Sequence, residues 1–332
     1  MEDSDLNRLR MPLPSHPEGF RSGFACFVGR PNVGKSTLMN ALVGQKVAIT
    51  STRPQTTRRV VRGIVHRDDA QLVVVDTPGL HKPRTLLGER LDSLVRSTLV
   101  EVDMIGFCVP ANETIGPGDT YIAQELARQH NPVVAIVTKA DLVDHERLVA
   151  QLSAVDQLGD WVDVVPVSAT EHFQTDTLVG VLLDRLPEGP PLYPEGDLTD
   201  EPEEILVAEL VREAALEGVR DELPHSIAVV VDELAPRENQ QDADEAENGV
   251  GDAGEQAGLI DIYASLYVER NSQKAIVIGN KGSRLRDVGT RARRQIEGLL
   301  GQRVYLDLRV RLAKDWQRDP RKLRRLGFDQ QT

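Results

Sequence analysis

The sequence predicts two domains in series: an α/β domain built on a mostly parallel sheet with helices on both faces, followed by a smaller α+β domain. Three observations carry this. Apolar runs at residues 24–28, 72–75 and 133–137, the last two rich in β-branched residues, each end in a short polar segment, as buried strands do when they deliver loops to one edge of an open sheet. Pro187-Glu188-Gly189-Pro190-Pro191 then breaks the chain, and the order beyond it becomes helix, two strands, glycine turn, helix, strand. Charge changes sign as well. Residues 269–332 hold 17 Lys+Arg against 7 Asp+Glu, net +10, which leaves −23 on the preceding 268 residues of a chain whose total is −13.

Residues 1–20 read as a polar, Pro-containing tail with no segment resembling a signal peptide. The first strand enters Gly29-Arg30-Pro31-Asn32-Val33-Gly34-Lys35-Ser36, which matches G-x4-G-K-[ST], and residues 36–42 read as the helix leaving it. Glycines at both ends let a tight loop turn its N–H groups toward the α- and β-phosphates of a nucleotide, at the positive end of that helix. Lys35 would reach the β- and γ-phosphates, and the Ser36 hydroxyl would coordinate Mg²⁺. Asp76-Thr77-Pro78-Gly79 follows the second run. Its strand brings Asp76 to a C-terminal end where it can hold Mg²⁺ through water, and Gly79 can lend its N–H to the γ-phosphate. An ordinary strand ending in a Pro-Gly turn would not explain the register with Lys35. The third run delivers Thr138-Lys139-Ala140-Asp141. The Asp141 carboxylate can accept from guanine N1–H and the exocyclic amine, a donor pair adenine lacks, with Lys139 along the base plane. Ser168-Ala169-Thr170 resembles the last base-contacting loop, with the Ala169 N–H near guanine O6, although the tripeptide also suits a plain helix cap. Three motifs in this order specify a site for GTP or GDP with Mg²⁺.

In the second domain, residues 203–220 place Ile205, Ala208, Leu216 and Val219 on one helical face for packing on a sheet. Strands are predicted at 226–231, 259–268 and 303–312. The run 275–278 reads as an apolar strand entering the turn Gly279-Asn280-Lys281-Gly282, followed by a helix with Leu285, Val288, Ala292, Ile296 and Leu299 on one face. This is the type II KH order, whose GxxG turn clamps a nucleic-acid backbone. Arg284, Arg286, Arg291, Arg293, Arg294 and the 321–325 cluster can neutralise phosphates, or serve only as a solvated helix face. The domains are thus set at 21–186 and 203–328, with an acidic linker at 187–202. Residues 238–258 carry seven acidic residues and no Lys, Arg or aromatic, so they read as a disordered insertion in a hairpin loop. Aromatics make up 4% of the chain, which favours backbone clamping over base stacking. The two cysteines, Cys26 and Cys108, show no metal-binding spacing and read as buried small hydrophobes in a reducing compartment. No window approaches a transmembrane span.

The motif order resembles the translation-factor-like GTPases, and Gly29 to Ser36, Gln55-Thr56-Thr57-Arg58 and Asp76-Thr77-Pro78-Gly79-Leu80-His81 resemble the Era family across residues 21–328. The resemblance implies a GTPase of slow intrinsic turnover. Its implied partners are 16S rRNA near the 3′ end and the small (30S) ribosomal subunit, whose maturation it assists as a cytoplasmic monomer with peripheral inner-membrane contact as an option. It further implies that Thr57 completes the Mg²⁺ shell and that Asn32 binds K⁺, which would bridge phosphate oxygens beneath residues 51–56. The bland reading of Asn32 is a turn residue. Thr138 departs from the family pattern, standing where the base motif usually has Asn, and this bears on guanine affinity. Leu80 stands where small GTPases carry a Gln, as in Era relatives, so no side-chain general base is expected. An alternative is a signalling GTPase whose basic end associates with anionic membranes.

Overall fold

The computed structural model describes residues 16–50, 57–79, 86–217, 226–237 and 258–328. The chain divides into two compact units, one of Met1–Val47, Val60–His81 and Ser93–Asp200, the other of Ala48–Arg59, Lys82–Asp92 and Glu201–Thr332.

The strands of the first unit are β1 (Arg21–Val28), β2 (Val61–Arg67), β3 (Ala70–Asp76), β4 (Met104–Pro110), β5 (Val133–Thr138) and β6 (Asp163–Pro166). They form one sheet in the order β2-β3-β1-β4-β5-β6. Only the β2–β3 pair is antiparallel. Every residue of β3, β4 and β5 is buried, which is why they read as unbroken apolar runs rather than alternating ones. Val95 and Leu99 of α2 (Leu86–Glu101), Ile122 and Leu126 of α3 (Pro117–Leu126) and Val155 of α4 (His145–Asp156) pack one core with Cys26, Ile105 and Phe107. The helices α1 (Lys35–Val43) and α5 (Thr175–Leu183) lie against the β1–β3 side of the sheet. Strand order reverses at β1, and the crevice beyond its carboxyl end is where open α/β sheets bind ligands. Both cysteines are buried free thiols; burial raises both, with Cys108 pushed up to about 12.

The stretch expected to be a linker is bound to this unit as far as Asp200. The buried Gln71 amide accepts from Leu192 N–H (2.7 Å) and Tyr193 N–H (2.9 Å) and donates to Tyr193 O (2.9 Å). Ile64 N–H donates to Leu198 O at 2.9 Å, and Arg62 pairs with Asp200 at 3.0 Å.

The second unit runs α6 (Glu203–Leu216), β7 (Ala228–Pro236), β8 (Ile260–Val268), α7 (Asn271–Ile278), α8 (Ser283–Leu300), β9 (Val304–Leu312) and α9 (Pro320–Arg325). Strand β8 is central, antiparallel to β7 and parallel to β9. Alternation turns Ile262, Ala264 and Leu266 toward Val207, Val211 and Ala214 of α6 and Val288, Ala292 and Ile296 of α8. The helix α6 is buried on more than the one face expected, since Leu210, Arg212 and Glu213 are buried too. Val219 lies outside the described residues, as do residues 238–257 of the acidic insertion expected at 238–258. Pro236 stands opposite Ile260, and Arg237 N–H donates to Leu259 O at 2.7 Å, so the two ends of the insertion meet at the β7–β8 hairpin.

One expected strand is a helix. Residues 275–278 belong to α7, whose start is capped by Gln273: its side-chain oxygen accepts from Glu269 N–H (2.9 Å) and Arg270 N–H (3.0 Å). Val277 is buried while Ile276 is exposed, a one-sided pattern that four apolar residues in a row conceal.

Candidate functional site

The loop after β1 is held from several sides. Lys35 Nζ donates to Gly29 O (3.2 Å) and Arg30 O (3.1 Å), closing the loop on itself. Gly29 is packed so tightly that a Cβ there would stand 2.5 Å from Cys108 O. Asn32 adopts φ 65, a left-handed conformation that Asn tolerates better than most residues. Lys35 is 6% exposed, and burial lowers the pKa of its ammonium against the opposing influence of Asp76. An incoming polyphosphate would relieve that cost by supplying negative charge.

Strand β3 ends beside this loop. Ser36 Oγ donates to Asp76 Oδ2 at 2.5 Å, and Thr77 Oγ1 donates to Phe27 O at 2.9 Å. Gly79 lies against Pro31, where a Cβ would come within 2.9 Å of the Pro31 nitrogen. A hydroxyl and a carboxylate side by side are hard oxygen donors of the kind Mg²⁺ takes. Among the described residues no group of three His, Cys, Asp or Glu could hold a metal, so an ion here would need phosphate oxygens or water to fill its shell. Thr57 lies in the 48–59 segment of the second unit, and Leu80 is outside the described residues.

The β5 end supplies the third wall. Thr138 Oγ1 donates to Val33 O at 2.6 Å, and Lys139 Nζ donates to Asn32 O at 2.8 Å. Ala140 N–H donates to Val167 O (3.1 Å), which brings the turn Ala140–Leu142 next to Ser168 and Ala169. Ser168 pairs with Phe173 and accepts from Glu171 N–H through Oγ at 3.2 Å. Asp141 is exposed and open to a ligand.

In the second unit, Gly279 links α7 to α8 at φ 73, where a Cβ would stand 2.7 Å from that of Arg284; only glycine fits. Asn280 and Lys281 are exposed at the tip, and Gly282 follows at φ 78. Beside the turn is an open cleft of about 410 Å³ whose lining includes Leu285, Arg286, Arg293, Tyr305 and Leu308.

A family model described as 50S ribosome-binding GTPase matches residues 24–139, and a KH domain model matches residues 245–317. The chain is 66% identical to GTPase Era of Streptomyces coelicolor, over 93% of this chain and 95% of that one. It is 62% identical to GTPase Era of Mycolicibacterium smegmatis, over 93% and 99%. The chain belongs to the Era family of GTPases. Two solved Era structures share its fold along 93% of its length and 99% of theirs. One is an Aquifex aeolicus Era variant bound to GDP·AlF4⁻ (TM-score 0.83, 35% identity). The other is Era in complex with MgGDPNP and nucleotides 1506–1542 of 16S ribosomal RNA (TM-score 0.82, 36% identity).

Within this Era GTPase, the Thr138 hydroxyl ties the loop after β5 to the loop after β1. Arg30 is an anchor the motif did not reveal. Its Nε donates to the buried Asp119 at 2.7 Å and Nη2 pairs with Glu113 at 3.1 Å, while Asp119 also caps α3 by accepting from Gly116 N–H at 2.9 Å. Arg30 therefore ties the phosphate loop to α3. The helix start at Gly116-Pro117-Gly118-Asp119 was a readable signal; its partner 89 residues away was not.

Arg284, expected from the sequence to meet phosphate, also serves α6. Its Nη2 donates to Glu217 O (2.9 Å) and Ala215 O (3.4 Å), satisfying carbonyls at the end of α6. Arg291 does the same for Ala214 O at 3.2 Å. Arg286, Arg293 and Arg294 are the exposed cations of α8, and they flank the cleft side of the helix or its open face. In the 321–325 cluster, Leu323 is core and Lys322 Nζ donates to Lys314 O at 2.6 Å, so Arg321, Arg324 and Arg325 are the better-exposed charges.

Proposed function

We propose that this Era-family GTPase binds GTP or GDP with Mg²⁺ at the loops after β1, β3 and β5 and binds 16S ribosomal RNA near its 3′ end through the GxxG cleft, assisting maturation of the small ribosomal subunit. The observation that carries the RNA half is the cleft itself: an exposed Gly279-Asn280-Lys281-Gly282 turn beside Arg286 and Arg293. The Era complex with a 16S fragment supports the choice of RNA, since that protein resembles 93% of this chain. The model description naming the 50S subunit covers only residues 24–139 and is the weaker guide to a partner. On this reading residues 21–186 are the nucleotide domain, 187–202 the connection and 203–328 the RNA-binding domain.

Ser36 and Asp76 are the proposed Mg²⁺ ligands, and Lys35 and the Gly79 N–H meet the phosphates. Bound there, Mg²⁺ would neutralise charge between the β- and γ-phosphates. Leu80 cannot accept a proton, so hydrolysis depends on positioning and on charge stabilisation of a loose transition state. Asn32 is the candidate K⁺ ligand, although its left-handed φ already accounts for an Asn at that point of the loop. Turnover in K⁺ buffer is expected to exceed that in Na⁺ buffer by about tenfold or more, as electrostatic stabilisation by one cation would give. Equal rates would remove the cation from the mechanism.

No described helix is long and apolar enough to cross a membrane, and the proposed location is the cytoplasm. Peripheral attachment through the basic C-terminal end is the competing reading. The full chain should bind a 16S 3′-end oligonucleotide at physiological salt and show weaker attachment to vesicles rich in anionic lipid. Tight vesicle binding without RNA binding would favour the signalling alternative.

A further inference from the structure

Along β8 and β9 the alternation that buries Ile262, Ala264 and Val304 turns Tyr263 and Tyr305 to the opposite face of the sheet. Their rings lie 6.3 Å apart at 65°. The Arg237 guanidinium stands 5.2 Å above the Tyr305 ring and is held by both Asp261 carboxylate oxygens, at 3.0 and 2.6 Å. Strand register places Tyr305 opposite Asp261 and Tyr263 opposite Asp307, which itself pairs with Arg309 at 3.2 Å. The other end of this face is covered. Ala228, Val230 and Tyr267 pack with Trp316, Leu323 and Phe328. Tyr305 is left 43% exposed, and it also lines the GxxG cleft.

We propose that this tyrosine–arginine patch, uncovered among the described residues, is a second RNA contact, a stacking platform for unpaired bases that leave the cleft past Tyr305 and reach Tyr263. Aromatic faces and guanidinium planes hold bases of any identity, and each stacked base contributes substantially to single-strand affinity. Continuity with the basic cleft selects RNA over a protein partner for the patch. The chain's low aromatic content favours backbone clamping over stacking; the placement of two of its five tyrosines on one face adds a place where stacking can occur. The inference rests on the reading of the cleft as an RNA site.

The test uses the full chain with two oligonucleotides from the 16S 3′ end: one of about six nucleotides, enough for the backbone span a GxxG turn clamps, and one of about twelve with 2-aminopurine in its extension. Tyr263→Leu, which keeps an apolar side chain of similar size, is expected to weaken the long oligonucleotide about tenfold and to abolish its 2-aminopurine quenching, with the short one unaffected. Tyr263→Phe should retain both affinity and quenching, which a merely structural Tyr263 would not require. Wild-type affinity and quenching in Tyr263→Leu would overturn the patch while leaving the cleft in place. If neither oligonucleotide binds the wild type, or Arg286→Glu binds both normally, the cleft reading falls and this proposal falls with it.

Discussion

Asp141→Asn is expected to abolish the preference for GTP and to create one for XTP. Asp141 sits in a turn pinned to the Ser168 loop by the Ala140–Val167 hydrogen bond, and Lys139 enters it at φ 58, so the backbone that aims the carboxylate does not depend on the carboxylate. Asparagine exchanges one acceptor for an N–H donor. Guanine presents an amine at the matching position and would be left donor against donor, while xanthine presents a carbonyl that accepts. Sites built on such pairs discriminate by up to about 10⁴ to 10⁵, so a loss of about a thousandfold in GTP affinity is the expected scale. Competition of GDP and XDP against a labelled nucleotide measures it. Retained guanine preference would mean that the base lies elsewhere.

The second large effect is on stability. Arg58 and Arg212 are both buried, at 4% and 1% exposure, and Glu209 is paired with Arg212 while Glu209 and Glu269 both oppose the Arg58 charge. Arg212 pairs with both Glu209 oxygens, at 2.9 and 2.5 Å, while Arg58 donates to Ile227 O at 2.7 Å and lies over the Trp316 ring. Burial alone would raise the Glu209 pKa, but Arg212, followed by Arg59 and Arg58, overcomes it, and the carboxyl stays below the usual range. A depressed folded pKa means that this stabilisation is complete above the ordinary Glu pKa and is lost as pH falls through the folded value. Glu209→Gln removes the charge paired with the buried Arg212 at every pH, at an expected cost of about 3 kcal/mol. Urea unfolding followed by the fluorescence of Trp316, in a Trp161→Phe background, reports on the second unit. An unchanged midpoint would show that the cluster is balanced by other groups.

The loops proposed to hold the nucleotide could be picked out because each is a short, contiguous motif at the end of an apolar strand, where type and spacing of residues encode the chemistry directly. Ser36 and Asp76 were matched across 40 positions only because each belongs to its own motif. What escaped were single side chains whose partners are far away in sequence. Gln71 reads as a polar residue in a strand, yet it ties down Leu192 and Tyr193. Arg58 was read as part of a motif, and nothing local announces a buried arginine, a residue type that is rarely found inside. The bonds of Arg284 to the end of α6 also escaped, because charge counts cannot tell an exposed cation from one that caps a neighbouring helix. The α7 helix was missed because four apolar residues fit a strand equally well, although Gln273 at its third position was a usable cue.

Nucleotide hydrolysis and RNA binding are proposed to reside in separable parts of one chain, and one double variant distinguishes them. Asn280→Asp combined with Lys281→Asp places two carboxylates on the exposed tip of the GxxG turn without touching Gly279, Gly282 or the buried faces of α7 and α8. Binding to the 16S 3′-end oligonucleotide, titrated beside the intrinsic GTP hydrolysis rate of the same preparation, should fall by about a hundredfold or more as repulsion replaces phosphate contact, with hydrolysis unchanged. Undiminished RNA affinity in a variant that hydrolyses GTP normally would contradict that proposal.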